Sequence, residues 1–100
     1  MSKCPIASTL KRAKEASNYL KGLSHEIRLA AICSIGTGEK TVQELAECLE
    51  TTQSNLSQHL SKLREKGILD TRKSGNQVYY RVKDDKVLEL IKVLSVCDCK

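Results

Sequence analysis

Apolar residues recur at intervals of three and four along most of the chain, a spacing that is typical of amphipathic helices. It predicts helices over about residues 6–21, 25–35, 41–49 and 53–66, and a last helix over about 84–96. The second of these helices is apolar almost all round, which is typical of a helix buried at the centre of a domain. The last helix has apolar residues on more than one face, so one of its faces needs a second surface to cover it.

The pattern changes after the fourth predicted helix. Residues 68–73 and 77–82 alternate in polarity or are rich in β-branched and aromatic side chains. The Ser-Gly-Asn segment at 74–76 between them is a turn signal. Together these features predict a β-hairpin over residues 68–83.

Local signals mark the helix ends. Gly22 is expected to end the first helix, and Ser24 is expected to cap the second. Thr41, followed three residues later by Glu44, forms a capping-box pattern at the start of the third helix. No linker, repeat or low-complexity segment interrupts the series, so we expect a single domain over residues 1–100.

The order of the elements predicts the fold class, which is mainly α with a small β-hairpin. Two short helices joined by about four residues, within 41–66, are a helix-turn-helix signal when the second is polar and basic on its outer side. The hairpin and last helix complete a winged helix-turn-helix, in the order four helices, two strands, one helix. We expect a homodimer through the terminal helices, residues 6–21 and 84–97, which would cover the apolar face left over on the last helix.

The fourth predicted helix, residues 53–66, divides into an apolar stripe and a polar face. Leu56, Leu60 and Leu63 fall at i, i+4 and i+7. The remaining face carries hydroxyls, an amide and a cation, at Ser54, Ser57, Gln58, Ser61 and Lys62. Serine is a poor helix former, whereas hydroxyls, amides and lysine bind base edges and phosphates well. From these residues alone, a DNA-reading face and an ordinary solvated face are both open interpretations.

The distribution of charge favours the DNA-reading interpretation. Residues 53–83 hold seven Lys and Arg and only two acidic residues, so they account for the whole net charge of +5. A local basic surface is typical of nucleic-acid binding. An acidic protein or an anionic membrane could use the same surface but does so less often.

Other classes of protein fit the sequence less well. The chain has no apolar run of 18 residues and no signal-peptide core, so we expect a soluble cytoplasmic protein without a membrane partner. No paired carboxylates in a pocket-like context, Gly-rich phosphate loop or Ser/His/Asp set stands out, so we expect neither an enzyme nor a cofactor. The five cysteines lack the spacing of a secreted disulfide scaffold, which favours reduced or redox-active thiols.

Three segments carry a resemblance to a known family. They are LKGLSHEIRLAAI (20–32), TVQELAECLETTQSNLSQHLSKLREKGIL (41–69) and GNQVYYRV (75–82). With these segments the chain resembles, over nearly all of its length, the ArsR/SmtB family of dimeric bacterial repressors. The resemblance implies two-fold binding to a palindromic operator in double-stranded DNA. One recognition helix would enter each major groove, and a wing would reach the flanking backbone or minor groove.

The resemblance also implies which side chains contact DNA. The recognition helix would supply Ser54, Ser57, Gln58 and Lys62, and the wing would supply Arg72, Lys73, Asn76 and Gln77. His59, beside the leucine stripe, is expected to have a structural or backbone-contact role. Arg28 is expected to form a structural ion pair or to meet a phosphate.

Members of this family differ in the residues that sense an inducer. At the thiolate positions of the arsenic and cadmium type, this chain has Thr41 and Gln43. At the matching positions of the zinc type it has Val96 and Asp98. A zinc site of histidine and carboxylate ligands is therefore not expected.

The remaining sensor candidates are cysteines. Cys33 and Cys99 resemble the pair of the sulfide- or persulfide-responsive branch, whose separation of 66 residues they match. The resemblance implies that reactive sulfur species join Cys33 to Cys99 by a disulfide or a chain of sulfurs. That link would change the dimer angle and release the operator. Cys97 is an additional, less certain thiol that this branch does not require.

Two alternatives stay open for these thiols. Cysteine in an apolar helix is commonly a core residue, which would explain Cys33. Cys97 and Cys99 could instead belong to a three-thiolate site for As(III), Cd(II) or Pb(II). The third thiolate would come from Cys33 or Cys4; outside this alternative, no metal site is expected. Cys48 is expected to be structural.

Overall fold

The computed structural model describes residues 6–96. They form α1 (Ile6–Leu23), α2 (Glu26–Ile35), β1 (Glu39–Thr41), α3 (Val42–Leu49), α4 (Gln53–Glu65), β2 (Leu69–Ser74), β3 (Gln77–Val82) and α5 (Asp85–Val93). The strands make one antiparallel sheet in the order β1-β3-β2. This arrangement confirms the predicted class, which is mainly α with a winged helix-turn-helix order.

The core is aliphatic and is centred on α2. That helix buries Ala31, Ile32 and Ile35, and the other helices and the start of β2 pack around them. From α4 the core receives all three leucines of the predicted stripe, each with no exposed surface: Leu56, Leu60 and Leu63. A fully buried leucine contributes roughly 1.5–3 kcal/mol, so this stripe is a major part of what fixes α4 on the domain.

The sheet has one strand more than the hairpin predicted from the sequence. β1 pairs with β3, with Glu39 opposite Arg81 and Thr41 opposite Tyr79. Three residues are too few for an alternating pattern to be recognised, and the partner strand lies about 40 residues further along the chain. β3 therefore becomes the central strand, and the hairpin is anchored to the segment just before α3.

Gly22 does not end the first helix, because α1 continues to Leu23. Gly22 is buried and faces the side chain of Lys66, whose Cδ would lie 2.2 Å from a Cβ at this position. The glycine therefore permits close packing of α1 against the end of α4 and is not a helix-ending residue. The second helix is likewise capped by His25, whose Nδ1 accepts from the N–H of Ile27 at 3.0 Å, and not by Ser24.

The last helix is shorter than predicted. α5 ends at Val93, and the chain turns with Ser95 at a φ of +59°. The N–H of Ser95 donates to the carbonyl of Lys92, and that of Val96 donates to the carbonyl of Ile91. This pair of bonds is a Schellman ending, which apolar periodicity cannot reveal because the apolar residues continue past it.

Within residues 6–96, no helix is both long and apolar enough to cross a membrane.

The turn between α3 and α4 contains a residue in an unfavourable conformation. Thr41 and Glu44 form the predicted capping box at the start of α3. At its other end Glu50 adopts the left-handed conformation, with a φ of +53°. A non-glycine residue costs roughly 1 kcal/mol in this region, so the short turn of the helix-turn-helix is held at an energetic cost.

We therefore expect Glu50→Gly to raise the free energy of unfolding by about 0.5–1 kcal/mol, because glycine adopts this conformation without strain. Urea unfolding at one fixed protein concentration measures the change. Glu47→Gly is the matched control, since it removes the same carboxylate from the interior of α3 and should lower stability by about 1 kcal/mol. Equal effects of the two substitutions would contradict the assignment of strain to Glu50.

Candidate DNA-binding surface and thiol site

The buried stripe of α4 leaves its polar face directed away from the core. Ser54, Gln58 and Lys62 are exposed and Ser57 is half-buried. The helix starts at Thr52, whose hydroxyl accepts from the N–H of Asn55 at 3.0 Å. The predicted recognition face is thus a continuous set of hydrogen-bonding groups on a helix whose opposite side is fixed in the core.

The wing is a hairpin with a two-residue turn. Ser74 and Gln77 are paired in register, and Gly75 takes a φ of +62° between them. Glycine suits this position because a side chain is strained at positive φ. Three of the predicted contact residues are exposed at or next to this tip, namely Lys73, Asn76 and Gln77.

Arg72, the fourth predicted wing residue, has other partners. Its Nε donates to both carboxylate oxygens of Glu39, at 3.1 and 3.2 Å, and its Nη2 donates to Oε1. Its guanidinium also lies 4.7 Å from the centre of the Tyr79 ring. The hydrogen bond from Arg72 lowers the pKa of Glu39, and the same bond raises the pKa of Arg72. Both groups are therefore charged at neutral pH.

Three side chains, here called the histidine junction, link α4 to α1 and α2. They are His25, Arg28 and His59. Arg28 donates from Nε to Nδ1 of His59 at 3.1 Å and from Nη1 to the carbonyl oxygen of Gly22 at 2.9 Å. The His25 and His59 ring centres are 4.1 Å apart. This confirms a structural role for His59. The partners of Arg28 among residues 6–96 are an imidazole nitrogen and a carbonyl oxygen and not the carboxylate of the expected ion pair. The alternative, a contact with a phosphate, stays a prediction.

The described cysteines differ in their surroundings. Cys33 is half-buried on α2 and packs against the core. It is disulfide-bonded. Cys48, near the end of α3, is an exposed free thiol, contrary to the structural role expected for it. The other predicted thiols, Cys4, Cys97 and Cys99, lie outside the described residues. Among residues 6–96, no three His, Cys, Asp or Glu side chains are grouped to hold a metal ion.

Comparison with known proteins decides the family. The family model described as "Bacterial regulatory protein, arsR family" matches residues 25–71, from the cap of α2 into β2. The biofilm growth-associated repressor of Agrobacterium fabrum is 42% identical over 95 residues, which cover 95% of this chain and 81% of that protein. The chain belongs to the ArsR family.

Solved structures of similar regulators agree with this ArsR assignment. Reduced HlyU from Vibrio cholerae superposes with a TM-score of 0.84 at 35% identity, over 93% of this chain and 98% of that one. The repressor BigR from Xylella fastidiosa superposes with a TM-score of 0.82 at 38% identity, over 97% of this chain and 99% of that one. The role of a DNA-binding transcriptional regulator follows from membership in this family.

Two residues of the ArsR-type domain were not anticipated from the sequence. Glu39 is one, because its partner Arg72 is 33 residues away and becomes a neighbour only through β3. His25 is the other, because it both caps α2 and packs its ring against that of His59. The motif segments contain His25 and His59, but nothing in their spacing indicates that the two rings meet.

The histidine junction predicts a loss of stability in acid. Burial, His25 and Arg28 lower the pKa of His59 below its ordinary value. The folded state therefore binds a proton at His59 less readily than the unfolded state does. The stability contributed by the neutral ring is complete above the unfolded pKa of about 6.5. It is lost as the pH falls below that value and through the lower folded pKa.

We expect the thermal midpoint to fall more between pH 7.5 and pH 5.5 in the wild type than in His59→Gln. Glutamine keeps an acceptor for Arg28 but does not titrate. Differential scanning fluorimetry at constant ionic strength measures both pH profiles. Parallel profiles for the two chains would show that His59 does not carry this pH dependence.

Proposed function

We propose that this chain is a dimeric repressor that binds a palindromic operator and is released when Cys33 and Cys99 become linked by reactive sulfur species. The observation that carries the DNA-binding part is the exposed polar face of α4, which lies opposite a leucine stripe with no exposed surface.

The α4 face supports base reading because its groups match what a major groove offers. Gln58 can bind adenine through two hydrogen bonds, and serine hydroxyls can meet several bases. Lys62 supplies a charge for phosphate. The wing tip adds Lys73, Asn76 and Gln77, which are exposed beside a tight turn. The similarity to a repressor from Agrobacterium fabrum supports the regulatory outcome.

The terminal helices support a homodimer. Among residues with described burial, every large hydrophobic that remains exposed lies on α1, on α5 or just after α5. These residues are Leu10, Leu20, Val93, Leu94 and Val96, with Val93 79% exposed. Exposed large hydrophobics that are concentrated on two elements favour an interface there. A two-fold contact through these helices would place two copies of α4 at a fixed separation, as a palindrome requires.

The disulfide bond of Cys33 supports thiol control, because a cysteine that forms a disulfide can alternate between that link and a reduced thiol. The proposed step starts from the reduced protein. In the proposed step, the Cys33 thiolate attacks a polysulfide, gains one sulfur atom as a persulfide and releases a shortened sulfide. The Cys99 thiolate then attacks the cysteine sulfur of that persulfide and expels hydrosulfide. The two cysteines lose two electrons, and the polysulfide accepts them. Further sulfur transfer would lengthen the link, and Cys97 is the alternative partner.

The DNA-binding proposal is tested by selecting a duplex from a random pool with the reduced chain. We expect a palindromic site bound by a dimer, with affinity that falls steeply as salt rises. Lys62→Gln should reduce the slope of log K against log salt by about 0.9 per subunit, because one phosphate contact is lost. Fluorescence anisotropy at several salt concentrations measures the slope, and sedimentation gives the stoichiometry.

Lys92→Gln is the matched control for that experiment. It removes the same charge from an exposed position at the end of α5, away from the proposed reading face. Its slope should stay close to that of the wild type as long as sedimentation finds the variant dimeric, because α5 also belongs to the proposed dimer contact. Equal losses in the two variants would mean that only the overall charge matters, and salt-insensitive binding by the wild type would remove the proposal altogether.

The thiol proposal is tested by treating the reduced chain with sodium tetrasulfide. We expect loss of operator binding in the wild type and in Cys48→Ser, which alters the exposed free thiol. Cys33→Ser and Cys99→Ser should stay bound, because neither can form the link. Mass spectrometry of digested wild type should find the Cys33 and Cys99 peptides joined.

Three results would count against this thiol pair. Full release of Cys33→Ser by tetrasulfide would exclude a dithiol mechanism. Retention by Cys97→Ser together with release of Cys99→Ser would transfer the role to Cys97. Release by As(III), Cd(II) or Pb(II) without any response to tetrasulfide would favour a soft-metal site instead.

A further inference from the structure

One face of the sheet, here called the outer face, carries two acidic and two basic side chains around a tyrosine. These residues are Glu39, Asp70, Arg72, Arg81 and Tyr79. Successive side chains of a strand point to opposite sides, and Tyr80, Val82 and Leu69 on the other side pack against the core. Across the three strands Glu39, Arg81 and Asp70 lie in one register row. Acidic and basic groups therefore alternate over this face.

Both arginines of the outer face are held by carboxylates. Arg72 binds Glu39 through Nε and Nη2 while resting on the ring of Tyr79. Arg81 donates from Nη2 to Oδ2 of Asp70 at 3.2 Å. The two arginine side chains remain about half exposed, at 47% and 54%. They are thus accessible to a phosphate, but each is already bound to an anion.

The acidic and basic side chains of the outer face cancel in net charge, whereas the sequence predicts a basic surface. The basic excess of residues 53–83 includes Arg72 and Arg81 but not Glu39, which lies outside that stretch. An arginine that is already neutralised by a carboxylate is less able to neutralise a phosphate, and so it releases few of the counterions condensed on DNA. Lys73 is exposed, and its side chain lies on the opposite face of the sheet because neighbouring residues of a strand alternate. No ion pair is found for it among residues 6–96.

We infer that Glu39 and Asp70 restrain Arg72 and Arg81 and so limit the affinity of the wing for DNA, which leaves the phosphate contact of the wing to Lys73 and the tip. This inference rests on the proposed DNA-binding function. Glu39 is then a positioning residue: it acts on DNA affinity through Arg72, whose long side chain starts two residues from the turn. Contact of Arg72 with a phosphate would require it to leave Glu39, and the cost of that exchange limits what Arg72 adds to the affinity.

The test is Glu39→Gln, which keeps the size of the side chain and the backbone pairing of β1. An exposed ion pair is worth at most about a fivefold change in an equilibrium constant, so operator affinity should rise up to about fivefold per subunit. The slope of log K against log salt should steepen by about 0.9 per subunit, because Arg72 becomes free for a phosphate. Asp70→Asn should act in the same direction through Arg81.

Glu47→Gln is the matched control. It removes the same charge from an exposed position on α3, within the helix-turn-helix, where no ion pair is found among the described residues. It reports how much any lost negative charge near DNA raises affinity. In an Arg72→Gln background, the effect of Glu39→Gln should shrink to that of Glu47→Gln, because there is no arginine left to release.

The outcomes separate this inference from the proposed function. Stronger binding and a steeper slope in Glu39→Gln, both lost in the Arg72→Gln background, support the restraint. If Glu39→Gln binds no more tightly than Glu47→Gln, or more weakly than the wild type, the restraint is overturned. The proposed function then still stands, provided that the wild type binds its operator. No salt-dependent binding by the wild type would remove both. Thermal midpoints of all variants show whether each chain is folded.

Discussion

Burial of the leucine stripe of α4 against the central helix is the interaction on which the rest of the molecule depends. Leu56, Leu60 and Leu63 have no exposed surface, and each costs roughly 2–5 kcal/mol when truncated to alanine in a typical core. A helix fixed so firmly on one side presents its other side in a constant orientation. That constancy is what a DNA-reading helix requires, since base contacts tolerate little displacement. The sequence of α4 therefore divides stability and the proposed DNA recognition between two faces of one element.

Hydrogen bonds to α1 and α2 also hold α4 in position. Arg28 joins α2 to His59 on α4 and to the end of α1 at Gly22. Cys33 lies further along the same α2, and so a thiol event there occurs on the helix that carries both the core and this junction. A displacement of α2 has two physical routes to α4, one through the packed leucines and one through Arg28. Coupling through packed and hydrogen-bonded elements of this kind gives a proposed thiol switch a means to move the reading helix.

The wing follows a different logic, because its stability comes from strand pairing and its surface charge is largely balanced. β1 anchors β3, which in turn carries β2 and the turn. The ion pairs of Glu39 with Arg72 and of Asp70 with Arg81 cross the strands on the exposed face. Exposed pairs contribute little stability, so the significance that we infer for these pairs lies in where they hold positive charge. The molecule thus combines a helix that is fixed firmly on one side with a wing whose exposed arginines are paired with carboxylates.

Much of this organisation is present in the sequence because it depends on local patterns. The leucine spacing of α4, the capping box at Thr41 and Glu44, and the turn at Gly75 each act over fewer than ten residues. These signals were sufficient for the fold class, and the segments that resemble ArsR proteins were sufficient for the family. The charge excess of residues 53–83 also indicated the surface on which DNA binding is proposed.

Tertiary structure alone decided the features that join distant residues. β1 is three residues long and forms only because β3 offers it a partner. Gly22 resembles a helix stop, yet it lies within α1 and faces the side chain of Lys66. From the sequence, Arg72 is expected to be a free cation of the wing. In the folded chain it binds Glu39, which is 33 residues away. The physical reason is the same in each case: local sequence fixes backbone preference and the direction of apolar faces, whereas the partner of a charge or a strand edge is chosen by the packing of the whole chain.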